Sequence, residues 1–196
     1  MKKIKVLFSL FLAVTVIFNQ YHVAKAAPNG YSSNYITGGF NKAVGIQIKC
    51  VYGVQALTDI AKNQWNGVSS KVKLVTTYSD NVIETYFDVY DRPQQSVNGT
   101  TIRYNGSKQL PDGDSTSRWT KAKCYQYKAA KSQKALLENQ KRKTATHELG
   151  HALSMAHPYG GTNTQNGPDA FMKSGEQSIY NLYKFDKDSL KGRWGS

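Results

Sequence analysis

Three histidines and a glutamate fall within one eleven-residue window: His147-Glu148-Leu149-Gly150-His151, with His157 six residues further on. On a helix, residues four apart lie on one face one turn apart, so His147 and His151 can present both imidazoles to a single ion. Glu148 sits beside them, within reach of a water that such an ion activates. Three protein ligands and one open position is the arrangement of catalytic zinc, with a nearby carboxylate completing deprotonation of the water. The pattern is specific. With four His and four Glu in 196 residues, a chance match at four fixed offsets is expected on the order of a few times in 100,000. The fourth histidine, His22, lies far upstream within residues 1–26, read below as a secretory signal.

The spacing predicts the elements that must position this window. Leu136, Gln140, Thr144, His147, His151 and Met155 lie three or four apart, which predicts one long helix over 132–155. Glu138 and Arg142 form an i,i+4 acid–base pair on its exposed face. Upstream, residues 44–51 alternate as a strand with Ile46, Ile48 and Cys50 on one face. Residues 54–65 read as a helix ended by Asn66-Gly67, and 71–77, 82–89 and 119–127 as further strands. Residues 100–104, between Asn98-Gly99 and Asn105-Gly106, read as a short edge strand. Residues 186–194 read as a short closing helix. Strands and helices alternating ahead of one long helix argue for an α+β domain.

The window resembles the extended zinc signature of the metzincin clan, His-Glu-x-x-His-x-x-Gly-x-x-His. Glu148-Leu149-Gly150-His151-Ala152-Leu153 is especially similar to bacterial matrixin-like peptidases. Asn63-Gln64-Trp65-Asn66 and the segment 186–195 are also similar to matrixin domains. The resemblance implies a twisted, mostly parallel sheet with an antiparallel edge strand, a long active-site helix and a small C-terminal subdomain. It implies zinc ligands His147, His151 and His157, general base Glu148, and a methionine turn at Met172 in Phe171-Met172-Lys173.

This sequence departs from the clan pattern at several points. Ser154 stands where the clan has a glycine that lets the chain leave the helix, and a left-handed serine costs ~1–2 kcal/mol. A helix running straight on would carry His157 about 240° round the axis from His151, leaving Asp169 or Glu176 as alternative third ligands. No cysteine precedes Cys50, so latency through a thiolate on zinc is not expected. Ser174 stands where some clan members carry a tyrosine, which leaves Tyr180 and Tyr183 as core or surface aromatics.

The resemblance also bears on Cys50 and Cys124. Its layout sets their strands on either side of 82–89, about 9.6 Å apart, whereas a disulfide wants Cα atoms within ~7 Å. A bridge then requires one cysteine at a strand end. Exported chains seldom keep two idle thiols, so a Cys50–Cys124 disulfide is the expectation here.

Residues 1–26 read as a secretory signal: Lys2, Lys3 and Lys5, then the apolar run 6–18, then Ala24-Lys25-Ala26. The apolar run is shorter than the ~20 residues that span a membrane. Residues 27–43, rich in Gly, Asn and Ser, read as a loose lead-in, and 44–196 as one catalytic domain. The four lysines of the signal reduce the chain's +13 to +9 in the exported form. That excess is either a dispersed solubilising charge or a means of contacting anionic cell surfaces. No basic stripe with interleaved aromatics points to nucleic acid. Asp112-Gly113-Asp114 is either a calcium-binding turn or a plain polar one, and it lacks the full ligand spacing of a calcium loop. Together these features predict a secreted, monomeric zinc endopeptidase acting on proteins or peptides. The competing reading is a catalytically silent surface-binding protein that retains the zinc fold.

Overall fold

The computed structural model describes residues 35–78, 82–90, 97–129, 135–158, 169–175 and 179–196. The signal reading of 1–26 lies outside these residues. Among them, no helix is long and apolar enough to cross a membrane.

The strands are β1 (Ala43–Gly53), β2 (Val72–Thr76), β3 (Ile83–Val89), β4 (Gly99–Asn105), β5 (Lys108–Gln109) and β6 (Lys121–Tyr127); the helices are α1 (Gln55–Trp65), α2 (Glu138–Ala152) and α3 (Lys184–Trp194). They build one six-stranded sheet in the order β2-β1-β3-β6-β4-β5. β2, β1, β3 and β6 run parallel, and β4 runs antiparallel to both β6 and β5. This is the predicted α+β arrangement of a mostly parallel sheet with an antiparallel edge. Strand 100–104, expected at the very edge, is one place in from it. The Asn105-Gly106 turn folds β5 back along its outer side, and Gly106 takes the positive φ of 60° that such a turn requires.

The pleat of β3 sorts its side chains. Ile83, Thr85, Phe87 and Val89 are buried, while Glu84, Tyr86 and Asp88 are half-buried on the other face. Helices α1 and α2 cover the buried face. Thr58 of α1 shares a 2.7 Å hydroxyl hydrogen bond with Thr85, and Cys124 of β6, the register partner of Thr85, approaches Glu148 of α2. Trp65 closes α1 against α2 by donating its indole N–H to the Thr146 carbonyl at 2.9 Å.

Two expectations change. Helix α2 begins at Glu138 rather than 132, because Ala135 is bridged to Ala129 and the Leu136 amide donates to Lys128 O. The chain is therefore still strand-like three residues before the helix. Packing also begins before residue 43. Ile36 and Phe40 are buried, Tyr35 bridges Met155, and Phe40 meets Trp119 edge-on at 6.0 Å. The glycines that suggested a loose lead-in instead permit close approach: a Cβ at Gly38 would stand 2.5 Å from Ser117 O.

The expected disulfide is absent, and both cysteines are free. Cys50 and Cys124 are each register partners of Thr85, one on either side of it. They lie in mid-strand two strand spacings apart, about 9.6 Å, beyond disulfide reach. Thiol titration of the denatured, unreduced protein should count two thiols per chain. Native protein should show at most one, because Cys124 is fully buried and burial raises its thiol far above the usual range. A count of zero after denaturation would refute this sheet order.

Candidate metal centre

Helix α2 carries His147 and His151 on one face, and its end carries the chain round to the third imidazole. Ser154 adopts φ 69°, the left-handed conformation that the expectation for this position required. The Met155 amide donates back to Gly150 O at 3.0 Å, and the Ser154 carbonyl accepts from Ile36 N at 2.9 Å. The reversal brings His157 alongside the other two. The three Nε2 atoms form a triangle with edges of 2.9, 3.0 and 3.1 Å. Among the described residues, this is the one group of three or more His, Cys, Asp or Glu side chains that could hold a metal ion.

The chemistry of the donors fits a cation. His151 Nδ1 lies 2.8 Å from Met155 O, whereas His147 Nδ1 has Lys143 Nζ at 3.4 Å, with the Phe171 backbone acting on the same ring. A ring nitrogen facing a carbonyl must carry the proton, which leaves Nε2 as the lone-pair donor. Three lone pairs converging at 3 Å repel one another unless a positive ion lies between them. Tetrahedral ligands at ~2.0–2.1 Å would be about 3.3 Å apart, close to the edges observed. Burial pushes His147 and His151 well below the usual imidazole range, and His157 down to about 4. Neighbouring positive charge, including that of Lys143, adds to the effect. The neutral, metal-binding form is therefore the resident one.

The alternative acidic ligand Asp169 is turned elsewhere. Its side chain is 82% exposed and faces Lys173; Glu176 lies outside the described residues. Asp114 closes its own turn by accepting the Thr116 and Ser117 amides at 3.0 and 2.9 Å, as a plain polar turn does. Tyr180 is exposed and Tyr183 caps α3, so both are scaffold aromatics.

Met172 is fully buried beneath α2. A Cβ on Gly150 would meet the Met172 sulfur at 2.6 Å and the Trp65 ring at 2.6 Å, so the glycine lets the turn at Met172 and α1 press against the helix between the two histidines. Sequence reading missed the residue that holds this turn. Asp186, buried in the first turn of α3, accepts the Phe171, Met172 and Tyr183 amides at 2.7, 3.1 and 3.1 Å. It also missed Lys143, although its place four residues before His147 puts it on the same helix face. Lys143 is 3% exposed and donates to Lys173 O at 2.7 Å. Burial lowers its ammonium to about 8 against the opposing pull of Glu148 and Asp186. Glu148 is buried too, and burial raises its carboxyl to about 8 against the Thr101 hydroxyl and Lys143. A cleft of about 310 Å³ opens beside these groups, lined by Asn98, Gly99, Lys143, His147, Glu148 and Ser174 among others.

No family model matches the sequence, and no curated protein matches it. Two solved structures of myroilysin share the fold at 14% identity and TM-score 0.50. One alignment covers 88% of this chain and 98% of that one; the other covers 90% and 93%.

Two outcomes follow for the metal-free protein. Folded imidazoles gain protons only well below 6.5, so between about pH 6.5 and 4 the unfolded chain binds more protons and stability falls as pH is lowered. Glu148 acts in the opposite sense, because it keeps a proton that the unfolded chain releases, but one group opposes three. Thermal midpoints should therefore drop steadily across that window, and a flat profile would mean solvent-exposed imidazoles. Ser154→Gly should stabilise by up to about 1 kcal/mol, because it relieves left-handed strain and removes a hydroxyl buried without a partner among the described residues. Denaturant melts that show destabilisation instead would place Ser154 in a favourable conformation.

Proposed function

We propose that this chain is a secreted zinc endopeptidase of the metzincin clan, matrixin-like, that cleaves proteins or peptides. The observation that carries the reading is the Nε2 triangle of His147, His151 and His157, with the carboxyl of Glu148 one residue along the same helix. Zinc bound there by the three imidazoles would act as a Lewis acid on the peptide carbonyl and make water a nucleophile near neutral pH.

The chain's own residues supply the remainder. Met155 O fixes the His151 imidazole in the Nδ1–H tautomer, so its Nε2 keeps its lone pair. Glu148 takes the proton of the attacking water and returns it to the departing amine. Its carboxyl is buried on the helix between the two histidines and its Oε2 lies 2.9 Å from the Thr101 hydroxyl, which places it for both proton transfers. The cleft beside Glu148 and His147 gives a substrate segment room to lie against the start of β4. The signal-like residues 1–26 support export of the chain.

Purified protein should carry one zinc per chain by elemental analysis and cleave a broad peptide library, with cleavage abolished by a zinc chelator. Glu148→Gln keeps the side chain's size but cannot accept a proton. That variant should retain its zinc and lose ~10²–10⁴-fold in turnover. Undiminished hydrolysis by the variant would remove Glu148 from the mechanism. A zinc-loaded wild-type protein that cleaves nothing would favour the silent surface-binding alternative.

A further inference from the structure

Strand β4 touches the site through one hydroxyl. Thr101 Oγ1 lies 2.9 Å from Oε2 of Glu148 and 2.7 Å from the same residue's backbone carbonyl. A threonine hydroxyl carries one proton and two lone pairs, so it can donate to only one of these oxygens at a time. When Glu148 is ionised, the Thr101 proton can turn to Oε2. The thiol of Cys124 lies 3.5 Å from that carbonyl, a second donor that keeps it served while the hydroxyl turns away.

The strand is held close enough for this contact by Gly99. A Cβ there would stand 2.9 Å from Cγ of Glu148, 2.7 Å from Cγ2 of Thr144 and 2.6 Å from Tyr125 O. Any larger residue would push β4 off the helix. Gly99 and Thr101 pair with Gln126 and Cys124 of β6 in unbroken register, so the hydroxyl sits on a rigid ladder and not on a loop.

We infer that Thr101 is the positioning residue for Glu148: its hydroxyl holds Oε2 against the sheet and thereby assigns Oε1 as the oxygen that faces the reacting water. The inference rests on the peptidase reading above for its catalytic consequence, but not for its geometry. A carboxylate anchored at one oxygen has fewer orientations available than an unanchored one, so less ordering is required at each turnover. Misplacement of a catalytic group by about 1 Å costs on the order of 100-fold.

The test uses Thr101→Val, which keeps shape and loses the hydroxyl, beside Thr101→Ser, which keeps the hydroxyl and loses the methyl. In the full-length protein, Thr101→Val should lower kcat by roughly 10- to 100-fold with KM within about twofold, zinc content unchanged, and Thr101→Ser should recover most of the loss. Crystal structures of the metal-free wild type and both variants give a readout independent of activity. The Glu148 carboxylate should leave its position in Thr101→Val and keep it in Thr101→Ser. An unmoved carboxylate in Thr101→Val, or a kcat loss that serine does not restore, overturns the inference. If the wild type cleaves nothing, the peptidase reading fails and the crystal structures alone decide the role of Thr101. If Thr101→Val does not fold, the position of Glu148 in Thr101→Ser carries the same decision, and a displaced carboxylate there overturns it.

Discussion

The site depends on one backbone reversal, because a regular helix can bring two of the three histidines to a common point but not the third. Ser154, at φ 69°, turns the chain back through the space beside α2 and sets His157 against His147 and His151. The conformation is costly for a residue with a side chain, ~1–2 kcal/mol, and it persists because its neighbours over-determine it. Trp194 of α3 donates to the Leu153 carbonyl at 2.9 Å, Ile36 donates to that of Ser154, and Met155 donates back into the helix. The segment read as a loose lead-in and the closing helix thus converge on the same two peptide units. Tyr35 and Ile36 are part of what holds the histidines together.

Burial sets the chemistry of this region. The helix is closely packed between the two histidines, with Met172 and Trp65 seated where Gly150 leaves room. In such surroundings charge is expensive unless it is hydrogen-bonded, and each group responds in its own way. The imidazoles stay neutral, Glu148 holds its proton to about 8, and Lys143 loses its own near the same pH. Asp186 instead receives three backbone amides, the arrangement that stabilises a buried carboxylate. That one side chain caps α3 and fixes the turn at Phe171 and Met172, which is how the C-terminal segment is registered against α2.

The sheet side of the site follows from strand spacing. Cys50, Thr85 and Cys124 stand side by side in register on β1, β3 and β6. The central threonine keeps the two sulfurs apart and ties the sheet to α1 through Thr58. Cys124 is left as a buried thiol beside the Glu148 carbonyl, where it serves as a weak donor and not as a crosslink. The same ladder continues to β4 and brings Thr101 to the Glu148 side chain.

By itself, the sequence determined the periodic and local features: the strands and helices of the sheet, the i,i+4 placement of His147 and His151, the Glu138–Arg142 pair seen at 3.2 Å, and the left-handed exit at Ser154. These rest on a period of 2 or 3.6 and on the conformational cost of single residues, so they can be read within a few positions of the chain. Tertiary structure alone decided the rest. Helix α2 starts late because Ala135 and Leu136 find strand partners at 128 and 129, a contact that local propensity does not encode. The cysteines stay apart because β3 lies between them in register, although the expectation of export suggested a bridge. The roles of Asp186, Gly99 and Thr101 gave no signal in advance, and that of Lys143 gave only its spacing from His147. Each acts through a partner outside its own element or through burial, and both arise only once the helices pack on the sheet.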